Sequence, residues 1–178
     1  MSLDKSVHSL FGVSKLSADM MVQEYGKNFG MNTVCFRAGC ITGPNHSGAK
    51  LHGFLSYLVK SCLIYKKYTV IGHSGYQVRD NIHSADLINC FWEFYKKPKK
   101  GEVYNIGGGF KNSCSILEAI DFVSKKLKCK MKLNFVKTPR RGDHLWWITD
   151  NSKFLKHYNN YKFNYNIKKT LEEIILSF

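Results

Sequence analysis

The chain has 178 residues, 44% hydrophobic and 22% charged with only three prolines, a globular composition long enough to bury one core. Its 27 basic against 13 acidic residues give a net charge of +14, and no run of eighteen uncharged apolar residues occurs, which argues against a helical membrane span. The first ten residues hold no signal-peptide core, so the expected location is cytoplasmic.

Six cysteines (35, 40, 62, 90, 114, 129) include no Cys-x-x-Cys pair, and the seven histidines lack ligand spacing. A zinc site is therefore not expected, and free thiols in a reducing compartment are. The positive charge has two readings. It could form a groove for nucleic-acid phosphates, or it could be solvent-facing lysines on a protein that binds one anionic small molecule. Short runs such as "YKKPKK" and "SKKLKCK", and the lack of any nucleic-acid module, favour the second.

Helical and extended patterns alternate along the chain, the mark of an α/β domain. Residues 12–29 read as a helix with Val13, Leu16 and Met20 on one side, ended by Gly30 in a left-handed C′ position. "TVCFRAG" (33–39) reads as a buried strand, and a loop follows through Gly43, Pro44 and Gly48. A helix is expected over 51–64, its stripe being Leu51, Leu55, Leu58 and Cys62, and then a short strand over 69–71.

Ser84 is the expected N-cap of the next helix, whose buried face would be Leu87, Cys90, Phe91 and Phe94. "EVYNI" reads as a strand with a glycine turn at 107–109. Ser115-x-x-Glu118 has the form of a capping box, with Ile116, Ile120, Val123 and Leu127 behind it. "KLNFV" alternates as a strand does, and the last helix, near 167–177, would bury Leu171, Ile174 and Ile175. Trp146 and Trp147 are expected in the core.

Three motifs stand out in order: "FGVSK" (11–15), "QVRDNIHSADL" (77–87) and "GEVYNIGGG" (101–109). Together they resemble the catalytic and substrate-binding half of an extended short-chain dehydrogenase/reductase, in the NAD-dependent nucleotide-sugar epimerase/dehydratase family. "FGMNTVCFR" and "NIGGGFKNS" are similar to stretches of its CDP-tyvelose/CDP-paratose 2-epimerases. The resemblance covers residues 8–178. It implies a partial Rossmann-like α/β fold lacking the N-terminal dinucleotide-binding half. Residues 8–50 would form the end of the Rossmann portion with its catalytic helix, and 51–178 mainly the smaller substrate-binding lobe with returning strands.

The resemblance also implies site residues. The family places Tyr-x-x-x-Lys on one helix face, so that the ammonium lowers the phenol's pKa. Here Lys15 holds the lysine position and would reach the nicotinamide ribose, whereas Phe11 replaces the tyrosine. Three outcomes stay open: another group supplies the acid/base function, the reaction differs, or the protein does not catalyse. Cys40 stands at a cofactor-contact position that is Asn in many relatives. Asn45 and His46 would contact sugar or phosphate in the following loop. Arg79 corresponds to the arginine that binds the substrate pyrophosphate, where a guanidinium fork suits phosphate oxygens. In "PRRGDH" Arg140 would take a phosphate, Asp143 the nucleotide ribose, and Arg141 would assist.

No Gly-x-Gly-x-x-Gly fingerprint between a strand and a helix occurs in the chain. The expected function is thus the C-terminal portion of a CDP-sugar 2-epimerase-like enzyme using NAD and a nucleoside-diphosphate sugar, inactive alone. Half of a split enzyme, a non-catalytic sugar-nucleotide-binding remnant and, less favoured, a basic nucleic-acid-binding domain are the alternatives. A missing Rossmann half or a second copy of the chain would be its protein partner.

Overall fold

The computed structural model describes residues 9–49, 52–140 and 142–178; Leu51 and Arg141 of the sequence reading lie outside them. Helix α1 (Leu10–Phe29) is capped by the Ser9 hydroxyl and ends at Gly30, whose φ of 69° is the left-handed stop. It returns antiparallel along strand β1 (Val34–Ala38), held by the Asp19 carboxylate against Arg37 at 2.8 and 2.9 Å. β1 pairs in parallel with β5 (Glu102–Ile106). Among the described residues no strand pairs with its other edge.

Gly39 separates β1 from β2 (Cys40–Thr42), which pairs in parallel with β4 (Val78–His83). β4 also takes β6 (Ser113–Ser115) antiparallel and β8 (Trp146–Trp147) parallel. A separate parallel pair joins β3 (Lys67–Ile71) to β7 (Lys132–Val136). The helices are α2 (Phe54–Lys60), running into a π-helical turn over Ser61–Tyr65, then α3 (Ser84–Lys96) and α4 (Ile116–Lys126). α5 (Ser152–His157) and α6 (Ile167–Leu176) complete the chain.

Two apolar clusters hold these elements. One lies under α2, α4 and α6 and is built on Leu55, Leu58, Val123, Leu171 and Ile174. The other packs Tyr104, Ile106, Ile82, Cys90 and Phe154 between β1, β5, α3 and α5. Each fully buried aliphatic side chain there contributes about 1.5–3 kcal/mol. No helix of the described residues is long and apolar enough to cross a membrane.

Several local readings need correction. The N-cap of α3 is His83, whose Nδ1 accepts from the Ala85 N–H; Ser84 is the first helical residue. An imidazole lone pair is an unusual cap acceptor, which is why the hydroxyl next to it drew the expectation. β1 is not buried, for only Cys35 within it is. On α3, Leu87 and Cys90 are buried but Phe91 is 46% exposed. Trp146 and Trp147 are exposed, because β8 is a two-residue strand at a sheet margin. The capping box at Ser115 and Glu118 forms as read, with both reciprocal hydrogen bonds present.

Candidate functional site

At the carboxyl ends of β1 and β2 two cavities adjoin, where ligands of open α/β sheets bind. The larger, about 520 Å³, is lined by Cys40, Thr42, Asn45, His46 and His52 among others. The smaller, about 210 Å³, is lined by Tyr68, Gln77, Arg79, Arg140 and Asp143. Cys40, His52, Gly53 and Phe54 line both, so the two cavities adjoin across these residues. Asn45, His46, Cys40, Arg79, Arg140 and Asp143 are thus brought together.

Arg79 projects from β4 and is fixed on two sides. Its Nη1 donates to the Val78 carbonyl at 2.7 Å, and its Nη2 to Asp143 Oδ1 at 2.6 Å. Asp143 reaches it because its own N–H donates to the Arg140 carbonyl, with Gly142 at a φ of 75° making the tight reversal. Arg140 and Asp143 therefore leave one turn on the same side. The other carboxylate oxygen, Oδ2, is buried without a partner. Burial pushes the Tyr68 phenol up to about 12; Tyr57 adds to this and the Arg140 charge opposes it.

His46 sits in the larger cavity edge-to-face with His52, ring centroids 5.4 Å apart. Its Nδ1 is buried without a partner. Burial first, and the His52 charge second, hold its pKa below the usual histidine value, so it is neutral at pH 7. Gly53, at a φ of 73°, admits the ring, since a Cβ there would lie 2.9 Å from Cε1 and Nε2. Burial also pushes the Cys40 thiol up to about 11, keeping it protonated.

Behind the cleft Asp80 is fully buried, and its Oδ2 accepts from the N–H groups of Gly109 and Thr149, both at 3.1 Å. The Asn151 amide makes two hydrogen bonds to the Gly107 backbone. A Cβ on Gly107 would lie 2.2 Å from Asp80 Oδ2, and one on Gly108 2.2 Å from the Asn81 carbonyl. These glycines are where backbone packs on β4, and they are closed to a phosphate.

Phe11 and Lys15 stand apart from these side chains. Lys15 is four residues before Asp19, about 6 Å further along the helix toward the carboxyl end of β1. It therefore sits at the cleft's end of the sheet, but neither it nor Phe11 lines the two cavities. Phe11 is 71% exposed, with Lys15 Nζ 5.5 Å from its ring centroid.

Three cleft residues escaped the sequence reading: His52, Tyr68 and Gln77. Gln77 was legible, because it precedes Arg79 by two and so shares its face of an extended chain. Tyr68 and His52 carried no such signal. Among the described residues no group of three His, Cys, Asp or Glu is arranged to hold a metal ion.

Residues 3–107 match the NAD dependent epimerase/dehydratase family. The chain belongs to that family. It is 30% identical over 154 residues to CDP-paratose 2-epimerase of Salmonella typhi, an alignment spanning 82% of this chain and 45% of the relative. Human dTDP-D-glucose 4,6-dehydratase is 32% identical over 104 residues, 58% of this chain and 28% of that one. Among solved structures, UDP-glucuronic acid 4-epimerase from Bacillus cereus, in complex with UDP-glucuronic acid and NAD, superposes with a TM-score of 0.80 at 30% identity. That match covers 99% of this chain and 55% of the other. The NAD complex of dTDP-glucose 4,6-dehydratase from Bacillus anthracis gives 0.81 at 25% identity, covering 99% and 57%. The chain spans about half the length of these family members or less.

The family is NAD-dependent. Among the described residues the glycine triplet offers the NAD diphosphate no cradle at Gly107 and Gly108, whose Cβ positions are taken by Asp80 and the Asn81 carbonyl.

Proposed function

We propose that this chain is the sugar-nucleotide-binding part of a CDP-hexose 2-epimerase and does not turn over substrate without a dinucleotide-binding segment. The observation that carries this is the convergence of Arg79, Arg140 and Asp143 on a cavity that adjoins the larger one of Asn45 and His46. Arg79 and Arg140 would donate to diphosphate oxygens, and Asp143 Oδ2, the oxygen not taken by Arg79, would accept from a ribose hydroxyl. The sugar would then extend past Cys40 toward His46, at the end of the sheet where α1 brings Lys15. The match to CDP-paratose 2-epimerase, the longer of the two sequence alignments above, supports cytidine as the base.

Isothermal titration of the chain with CDP-glucose tests this reading. Saturable binding, lost at least tenfold in Arg79→Ala, is the expected result. No heat with any nucleoside-diphosphate sugar, or turnover of a CDP-hexose by the chain alone, would overturn it.

The partner is argued from two surfaces. β1 has an edge that no described strand pairs with, and such an edge offers a row of free N–H and C=O groups. α1 beside it exposes Leu10, Phe11, Met21 and Phe29. A dinucleotide-binding unit, in the same polypeptide or a separate one, would cover both. Co-purification of the chain with such a unit, and its loss in Met21→Asp/Phe29→Asp, is the corresponding check.

A further inference from the structure

Two of the six cysteines touch. Cys62 lies in the π-helical turn Ser61–Tyr65 after α2, and Cys129, 67 residues further on, follows the end of α4. The Cys129 thiol donates to the Cys62 carbonyl at 3.1 Å and is in hydrogen-bonding contact with the Cys62 thiol. Both belong to the cluster under α2, α4 and α6, Cys62 fully buried and Cys129 half-buried at its margin. Backbone hydrogen bonds fix the corner: the Cys129 N–H donates to the Ser124 carbonyl at 3.0 Å, and the Lys132 N–H to the Lys66 carbonyl at 2.8 Å.

The surroundings of the two sulfurs differ. Burial first, and the hydrogen bond with Cys129 second, push the Cys62 thiol up to about 12, so it stays protonated at neutral pH. Cys129 is the one that solvent reaches, and Lys66 Nζ donates to its sulfur at 3.8 Å. Exposed Lys128 and Lys130 stand on either side of it in the chain. Among the described residues none of these three lysines makes an ion pair. A part-exposed thiol among cations, backed by a second thiol, is the setting in which cysteine oxidation becomes site-selective. Cys35, Cys90 and Cys114 are buried, and Cys40 lies in the cleft.

We propose that Cys129 is an oxidant-reactive thiol that closes a disulfide with Cys62 when the protein meets a hydroperoxide. The Cys129 thiolate attacks the peroxide: an S–O bond forms, the O–O bond breaks, and the departing oxygen takes a proton to leave as water or alcohol. Cys129 is then a sulfenic acid. The Cys62 sulfur attacks it, the S–S bond forms, the S–O bond breaks, and hydroxide leaves as water with the Cys62 proton. Two thiols thus give two electrons to one peroxide. Lys66 acts on the first step, where its ammonium balances the charge on sulfur. The inference does not depend on what the Arg79 cleft holds.

The test treats the reduced full chain with hydrogen peroxide, blocks the remaining thiols with a maleimide and reads the unreduced tryptic digest by mass spectrometry. A cross-linked pair of peptides carrying Cys62 and Cys129 is expected as the main disulfide, lost on adding dithiothreitol. Cys129→Ser removes it, and Lys66→Gln, a change at an exposed side chain, slows its formation about threefold or more. In urea, where the fold no longer holds the two thiols together, the pairing loses its selectivity. A different main pair, Cys129 carried to sulfinic acid without a cross-link, or equal rates in wild type and Lys66→Gln would each overturn the proposal.

Discussion

Arg79 Nη2 and Asp143 Oδ1 meet at 2.6 Å across 64 residues of sequence, with side chains 15% and 8% exposed. The pair ties β4 to the turn that carries Arg140, so the two guanidinium groups of the cleft are placed by one carboxylate. Removing one partner of such a pair leaves a charge that is neither solvated nor matched.

Asp143→Ala is therefore expected to lower stability by about 3 kcal/mol. Arg79→Ala/Asp143→Ala should cost less than the sum of the single changes. A double-mutant cycle by urea denaturation measures this. Strictly additive single effects would show that the pair contributes no coupling.

Gly108→Ala tests the seam between the glycine turn and β4. Its Cβ would lie 2.2 Å from a backbone carbonyl, which cannot swing away as a side chain does. Overpacking of this kind costs about 3 kcal/mol. Gly12→Ala, where the Cβ would meet only Ser9 Oγ at 3.3 Å, is the control. Thermal melts of the two variants should differ by several degrees, with Gly108→Ala the lower.

Both ends of the legibility range appear around these residues. The Gly30 stop and the Ser115–Glu118 capping box follow from local periodicity and local hydrogen bonding and could be read residue by residue, whereas β2, β4, β6, β8 and α5 were not read at all. What could not be read depends on contacts distant in sequence. Asp143 was assigned to a ribose hydroxyl by resemblance, and nothing near it in sequence announces that one oxygen is already spoken for by Arg79. The exposure of α1, whose buried residues are only Gln23 and Gly26, was likewise hidden, because amphipathic spacing does not say whether a partner is present. Tyr68 enters the cleft through the pairing of β3 with β7, a register that no single strand encodes.

Acid stability should carry a signature of the Asp19–Arg37 bond. The Arg37 hydrogen bond, against the opposing effect of burial, holds the Asp19 carboxyl below its ordinary value of 3.8. A depressed folded-state pKa stabilises the fold fully above the unfolded value and loses that contribution as pH falls through the folded one. Arg37 is 44% exposed, so screening limits the effect to about 0.5 kcal/mol. The difference in stability between wild type and Asp19→Asn should be constant from pH 7 to 5, then shrink below pH 3.8. A difference that grew on acidification would refute the assignment.

Phe11→Tyr asks whether a hydroxyl on α1 would serve proton transfer. The ring is 71% exposed, and Lys15 Nζ stands 5.5 Å from its centroid, so an added oxygen meets no packing obstacle. Stability should change by no more than about 0.5 kcal/mol. The new phenol would share a helix face with Lys15, four residues on, and the ammonium would favour its ionised form. In an assembly completed by a dinucleotide-binding unit, a proton-transfer group of this kind is worth roughly a hundredfold or more in turnover. Such a gain in Phe11→Tyr, abolished again by adding Lys15→Ala, is the expected result, read against the chain alone as a blank. Equal turnover of the wild-type and Phe11→Tyr assemblies would mean that a different group of the cleft already moves the proton, and His46, neutral with an unbonded Nδ1, would then be the next residue to replace.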